Sequence, residues 1–348
     1  MVNRILLLTL LTLLTSACET VSIITIEVKR PAEFTLPEHI TKVVVVNNTL
    51  TQPATYGHTA SSFGGNGIET SQKTEELPGL FVSNFAKVLS DKGLFKVVTQ
   101  KGLPEKSFLE DTPLNEQQMD RISDSEKPDL VISLDRFLVE SVLKINYVAT
   151  ENSYKVTMDG RCFPVVRIYD LHARKVIFTS KMQDTLYWEN YDMTSEGAIS
   201  HFPATKTCME DLTMYSVDQL HKKLFPNSEK VQRFLYVGMN RNMRDAYNYV
   251  LRDKWEEATY IWEYLYESTK NEELKAYCAA NLALRSEILD NFDRAIECVD
   301  ISKSLFENSN SLSMRCEAPR MGKYSYDLKV RASQIELLEK QLKATKDN

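Results

Sequence analysis

Beyond Asn240 two stretches of the chain can be laid over one another, and they limit what its second half can fold into. In "AYNYVLRDKWEEATYIWEYL" and "AANLALRSEILDNFDRAIECVDIS", Ala246 matches Ala283, Trp255 matches Phe292 and Ala258 matches Ala295, always 37 residues apart. Small residues at fixed places in a helical pattern let two helices approach closely. A unit of this size cannot bury its apolar face alone, so successive units must stack. A last helix is expected at roughly 326–344, with Leu328, Ala332, Ile335, Leu338 and Leu342 on one stripe that can cap the stack.

This pattern resembles the tetratricopeptide repeat, a helix pair with small residues at the crossing and an aromatic near the start of the second helix. Two features depart from that family. The first unit lacks the consensus Trp and Leu-Gly, and no Pro closes either unit. The resemblance implies packing roles for Ala246, Trp255, Ala258, Ala283, Phe292 and Ala295. It also implies a concave partner groove on the first helix of each pair, formed by Met243, Tyr247, Val250, Tyr277, Ala280 and Leu284.

The first half reads differently. "KVVVVNN" (42–48) is an apolar run of strand length, the kind buried on both faces. "LPGLFVSNFAKVLSDKG" (77–93) places Leu77, Phe81, Phe85, Val88 and Leu89 at helical spacing, with Gly93 as a C-terminal stop. "LFKVVTQ" (94–100) and "DLVISLDRFLVES" (129–141) are further strands, with a short helix near 115–123 between them. Residues 154–189 read as a long hairpin turning at "YDLHARK". A helix over roughly 203–224 and a return strand over 231–238 follow. Between 49 and 74 lies a Thr-, Ser- and Gly-rich segment, expected to be a mobile surface loop. The fold class is therefore α+β: an N-terminal mixed-sheet α/β sandwich domain, then an all-α tetratricopeptide-like helical repeat domain.

The N-terminus opens with Arg4, an apolar run over 5–14, the small residues Thr15, Ser16 and Ala17, and then Cys18. This is the layout of a secretory signal, too short to span a bilayer as a mature helix. A cysteine directly after small residues resembles the lipobox of bacterial lipoproteins, although Thr15 stands where Leu is usual. The resemblance implies cleavage before Cys18 and its acylation, palmitate included. The expected domains are a signal peptide (1–17), a tether (18–35) that becomes a strand at the β-branched "VSIITIEV" and stops at Pro31, the α+β domain (36–238) and the helical domain with its capping helix (239–348).

A formal charge of −6 argues against nucleic acid and against an anionic lipid surface as the main partner. Six cysteines include no CxxC pair, and the five histidines include none at i,i+3 or i,i+4, so no metal and no cofactor is expected. No G-x-S-x-G, H-E-x-x-H or P-loop occurs. "SFGGNG" follows a strand and precedes a helix but lacks the closing Lys-Ser/Thr of a phosphate cradle. Asp170 and His172 fall in a turn, where they are solvated. "DTL" (184–186) matches a short glycosylation sequon as easily as it matches a strand.

Taken together, the leader, the "RIYD" and "DTLYWE" strands and the two helical stretches resemble a family of Bacteroidota lipoproteins of unknown function. By element order the α/β part is also similar to small domains of envelope proteins, such as the amino-terminal domain of the Tol-system propeller protein and the curli secretion lipoprotein. These resemblances imply a lipid-anchored envelope protein; residues "ETVSI" after Cys18 lack a dense acidic export signal, which points to the periplasmic face of the outer membrane. The expected role is non-enzymatic: an adaptor that holds an unidentified protein partner through its helical repeats. Alternatives are a ligand-binding or enzymatic α/β domain using the 49–74 segment, and a subunit of an oligomeric envelope or secretion complex.

Overall fold

The computed structural model describes residues 21–37, 40–91, 96–101, 107–111, 113–238 and 240–346. The leader and Cys18 lie outside the described residues. The chain divides into two compact units: Ala32–Phe225 with the last residues Lys343–Asn348, and the chain up to Pro31 with Pro226–Leu342.

The sheet unit contains β2 (Lys42–Asn47), β3 (His58–Ser62), β4 (Ile68–Glu69), β5 (Lys96–Lys101), β6 (Leu130–Val148), β7 (Ser153–Asp170), β8 (Lys175–Lys181) and β9 (Asp184–Asp192). Its helices are α1 (Leu77–Asp91), α2 (Glu116–Glu126), α3 (Ser195–Ser200) and α4 (Thr205–Leu224). The strands form one mixed sheet: β2 lies parallel to β5 and β6, β3 lies parallel to β6, and β7 runs antiparallel to β6, β8 and β9. The valine run of β2 is buried on both faces, as expected. Val43 and Val45 meet Phe81, Phe85 and Leu89 of α1 and share a core with Leu212 and Leu220 of α4. Val44 and Val46 face the other way, toward Leu114, Tyr169 and Ile122 of α2. Asn115 and Gln118 close a capping box that starts α2.

Two elements differ from expectation. The third strand does not stop near 141 but runs to Val148 and turns directly into β7, so that Tyr147 pairs with Tyr154. β7 is therefore a central strand with β8 and β9 along its other edge, not one arm of an isolated hairpin. At its middle, Gly160 leaves room for Trp188, whose ring would lie 2.9 Å from an added Cβ.

The 49–74 segment is not loop throughout. Within it lie the short strands β3 and β4, and β3 shares one edge of β6 with β2. Gln52 fills the gap between them. Its amide oxygen accepts the Val139 N–H at 2.8 Å, and its amide nitrogen donates to the Val139 carbonyl at 2.7 Å. A side chain thus stands in for a missing strand residue. The ladder resumes where the Ser141 N–H donates to Gly57, which adopts φ +76°.

The helical unit holds α5 (Arg241–Val250), α6 (Trp255–Ser268), α7 (Glu272–Ile288), α8 (Phe292–Glu307), α9 (Leu312–Arg315) and α10 (Ala318–Lys346). Asn240, Asn271 and Asn291 cap α5, α7 and α8 through their side chains. Ala246, Ala258, Ala283 and Ala295 are fully buried in one core; Phe292 is buried and Trp255 half-buried against it. The unit also contains β-structure. β1 (Val21–Arg30) pairs antiparallel along its whole length with β10 (Asn227–Tyr236). Within the 18–35 segment the strand expected at "VSIITIEV" is present and ends before Pro31. The strand read as returning to the sheet leaves it instead, because Ile26, Val28 and Leu235 bury one face of this ribbon among the helices.

Gln52→Leu should leave both main-chain groups of Val139 without partners. A loss of about 2–6 kcal/mol is expected, since each stranded buried group costs about 1–3 kcal/mol. Urea unfolding of the variant and wild type measures it.

Candidate functional site

The six groove residues inferred from the repeat resemblance are brought together, but not as an open groove. Met243, Val250, Tyr277, Ala280 and Leu284 are all buried, and Tyr247 is half-buried with its hydroxyl 3.3 Å from that of Ser22. The occupant is the chain itself. Tyr277 stacks on Tyr236 of β10 with ring centroids 4.5 Å apart and planes 12° apart, and Phe306 closes the cluster. Asn281, one position after Ala280, clasps the strand. Its amide oxygen accepts the Tyr236 N–H at 2.9 Å and its amide nitrogen donates to the Tyr236 carbonyl at 2.8 Å. The inference of a vacant partner groove is therefore corrected. An apolar concave face must be covered, and β10 covers it in cis.

The same helix carries a second buried polar residue. Glu287 has a fully buried carboxylate that accepts two bonds from Arg233 of β10, both at 2.9 Å, one from Tyr324 at 2.7 Å and one from Arg331. Burial alone would push this carboxyl up. The two guanidiniums and the tyrosine outweigh it and hold the group below the usual glutamate range. Asn281 and Glu287 were not singled out in the sequence. Their signal was there: two polar residues in the interior of an Ala- and Leu-rich helix.

In the sheet unit the corresponding polar centre is Asp135, at a register shift in β6 between Leu134 and Arg136. Its buried carboxylate accepts from Ser133 at 2.6 Å, Asn48 at 3.2 Å and Arg167. Burial raises its pKa despite these donors. This centre sits at the carboxyl end of β2, where its parallel pairing with β6 stops, and such strand ends are where open α/β sheets bind ligands. Here Asn48 and Gln52 occupy the position. The glycines 64, 65 and 67 are in the β3–β4 turn, not ahead of α1, so they do not form a phosphate cradle.

Other singled-out residues are placed as follows. His172 is exposed, 3.4 Å from Asp129, and Asp170 accepts from the Ala173 N–H in its turn. Thr185 is exposed on β9, while Asp184 turns inward to the Ser216 hydroxyl. Cys162, Cys208, Cys278 and Cys298 are buried free thiols and Cys316 is an exposed one. His58 is buried beside Ser141, and burial lowers its pKa to about 4. Among the described residues no group of three or more His, Cys, Asp or Glu is arranged to hold a metal.

The sequence profile of a family described as a domain of unknown function (DUF8603) matches residues 40–236. A second profile, described as a domain of unknown function (DUF6340), matches residues 244–330. No curated protein matches the chain. Similar solved structures include a PelC dodecamer from Paraburkholderia phytofirmans (11% identity, 58% of this chain and 98% of that one, TM-score 0.24). A putative neuraminyllactose-binding hemagglutinin homolog from Helicobacter pylori aligns at 11% identity over 54% of this chain and 91% of that one, with a TM-score of 0.27. Lipoprotein GNA1162 from Neisseria meningitidis aligns at 10% identity over 52% and 98%, with a TM-score of 0.19. Likeness at these TM-scores carries no argument about this chain.

Glu287→Ala should cost about 3–5 kcal/mol, because it strands two buried guanidiniums; equilibrium unfolding of the helical unit reads the loss. His58 makes an acid-sensitive contribution. Its folded pKa of about 4 lies below the unfolded value near 6.5, so the unfolded chain binds the proton first. Stability from this group is complete above the unfolded value and is lost as pH falls toward 4. His58→Gln should flatten the fall in Tm between pH 7 and pH 4.5 in a thermal melt series.

Proposed function

The chain belongs to the DUF8603 family, and we propose that it is a lipid-anchored, non-enzymatic adaptor of the bacterial cell envelope that holds a protein partner on its helical unit. The reading places it on the periplasmic face of the outer membrane. It treats the α5–α8 helices as a short tetratricopeptide-like array. Support for the anchor comes from the charged start, the apolar run and Cys18. Among the described residues no helix is long and apolar enough to cross a membrane, so in this reading attachment rests on the acylated cysteine.

One observation carries the adaptor role and moves it from the concave face to the outer one. With β10 seated inside, the outward face of α6 presents Tyr260 at 72% and Tyr264 at 58% exposure, one helical turn apart. Tyrosine on a rigid helix offers a large apolar body with a polar tip at low entropic cost, which is the composition of a partner-binding surface. Glu263 and Glu267 flank the pair and form a like-charge i,i+4 set in the second half of the helix, whose last turn has no basic residue. Helix physics disfavours that arrangement, and a partner with complementary charge relieves it.

A photo-reactive amino acid at position 260 or 264, activated in intact cells, should yield a discrete crosslinked species. A folded Tyr260→Ala/Tyr264→Ala variant carrying the probe at 257 should lose most of it. Equal yields in the two proteins would remove α6 as the partner surface. Cys18→Ser should move the protein from the membrane to the soluble fraction; retention on the membrane would remove the lipid anchor.

A further inference from the structure

We infer that the anchor-proximal end of the β1–β10 ribbon rests directly on the phospholipid bilayer, with Ile23 and Phe234 entering the headgroup layer. The inference builds on the lipid-anchor reading and specifies how the anchored protein stands.

Chain reach supplies the first argument. Only Glu19 and Thr20 separate Cys18 from Val21, where β1 begins already paired with Tyr236. Three peptide steps span at most about 11 Å. An acylated Cys18 must lie at the membrane interface, so the start of β1 has no slack to stand away from it. A tether running to residue 35 would have released the protein from the surface; the strand removes that freedom.

The second argument is the pattern along the ribbon's outward face. Its cross-strand pairs are Ile23 with Phe234, Thr25 with Gln232, Glu27 with Lys230 and Lys29 with Ser228, and all eight side chains are exposed. Val21 and Tyr236, one pair nearer the anchor, are half-buried and buried against the helices; the first exposed pair after them is the apolar one, with Ile23 58% and Phe234 37% exposed. Every pair further along is polar. An isolated exposed isoleucine needs no explanation, but an apolar pair confined to the anchored end of an otherwise polar face matches the depth gradient of an interface.

The third argument is charge. The Arg320 guanidinium lies 4.1 Å from the centre of the Phe234 ring while also holding Glu317. Lys323 is exposed and has no ion-pair partner among the described residues. Phe234, Arg320 and Lys323 line one cavity of about 130 Å³. An aromatic side chain with cations beside it suits the boundary where phosphates meet acyl chains. The protein's overall acidity disfavours broad adsorption to anionic lipid. A small footprint delivered by the covalent anchor does not depend on that balance.

The test uses the full-length, acylated protein reconstituted into vesicles of phosphatidylethanolamine and phosphatidylglycerol. Ile23→Trp and Lys29→Trp place a probe at the two ends of the same face, and circular dichroism confirms that each variant folds. With lipids brominated near the headgroup, Ile23→Trp should lose most of its added emission and Lys29→Trp little. Arg320→Gln/Lys323→Gln introduced with Ile23→Trp should weaken the quenching. Equal, weak quenching at both positions in a protein whose acylation is verified by mass spectrometry overturns the inference while leaving the anchor intact. A probe at 23 shielded by a second copy, seen as concentration-dependent energy transfer without lipid quenching, overturns it as well. An unmodified Cys18 in a soluble protein overturns the anchor reading itself.

Discussion

Asn281 holds the main chain of Tyr236 by both its N–H and its carbonyl, and the organisation of the helical unit follows from that clasp. A strand seated inside a helical array has main-chain groups that the helices cannot satisfy, because their own are spent within each helix. One asparagine supplies both a donor and an acceptor at the spacing of an extended backbone. Once β10 is seated, Tyr236 stacks on Tyr277, and Arg233 reaches the buried Glu287. β1 then pairs along β10 and brings Ile26 and Val28 into the same core. A buried ion cluster is costly unless every member is satisfied. Here Glu287 is met by two guanidiniums and the Tyr324 hydroxyl, so the position of β10 relative to α7 and α10 is sharply specified.

The sheet unit solves a related problem. Two strands, β2 and β3, share one edge of β6, and the residues between them must satisfy the exposed ladder. Gln52 does so with its amide, and the Gly57 carbonyl completes the join. The register shift at Asp135 gathers Ser133, Asn48 and Arg167 around one buried carboxylate. These groups take up the end of the parallel strands. The same polar chemistry that would recognise a ligand elsewhere is used here to close the fold. The proposed interactions accordingly lie on outer surfaces: the tyrosines of α6 and the ribbon end nearest Cys18.

Much of the framework was legible in the residues. The doubly buried valine run, the Phe81–Phe85–Leu89 stripe, the α4 stripe and the recurring alanines all encode local structure, because period and side-chain size are properties of short segments. The residues read as an open groove are buried in one core instead. Met243, Tyr277 and Leu284 look alike in sequence whether they meet a partner or another part of the same chain. The extent of β6 was cut short because "INYV" lies on a largely exposed surface with no inward–outward alternation. Only its pairing with β7 makes it strand.

The sequence by itself determined helix and strand periods, the capping asparagines, the close approach of α5–α8 at alanine positions and the placement of Cys18 after an apolar run and small residues. Those are local matters of sterics, hydrogen-bonding reach and apolar spacing. Tertiary structure alone decided that β10 would leave the sheet, that β1 would pair with it, and that the concave face would be filled in cis. Each joins segments about two hundred residues apart or sets main-chain groups against a distant side chain. No short window records which of several chemically suitable surfaces will cover an apolar face. Competition among all of them in the folded chain settles it.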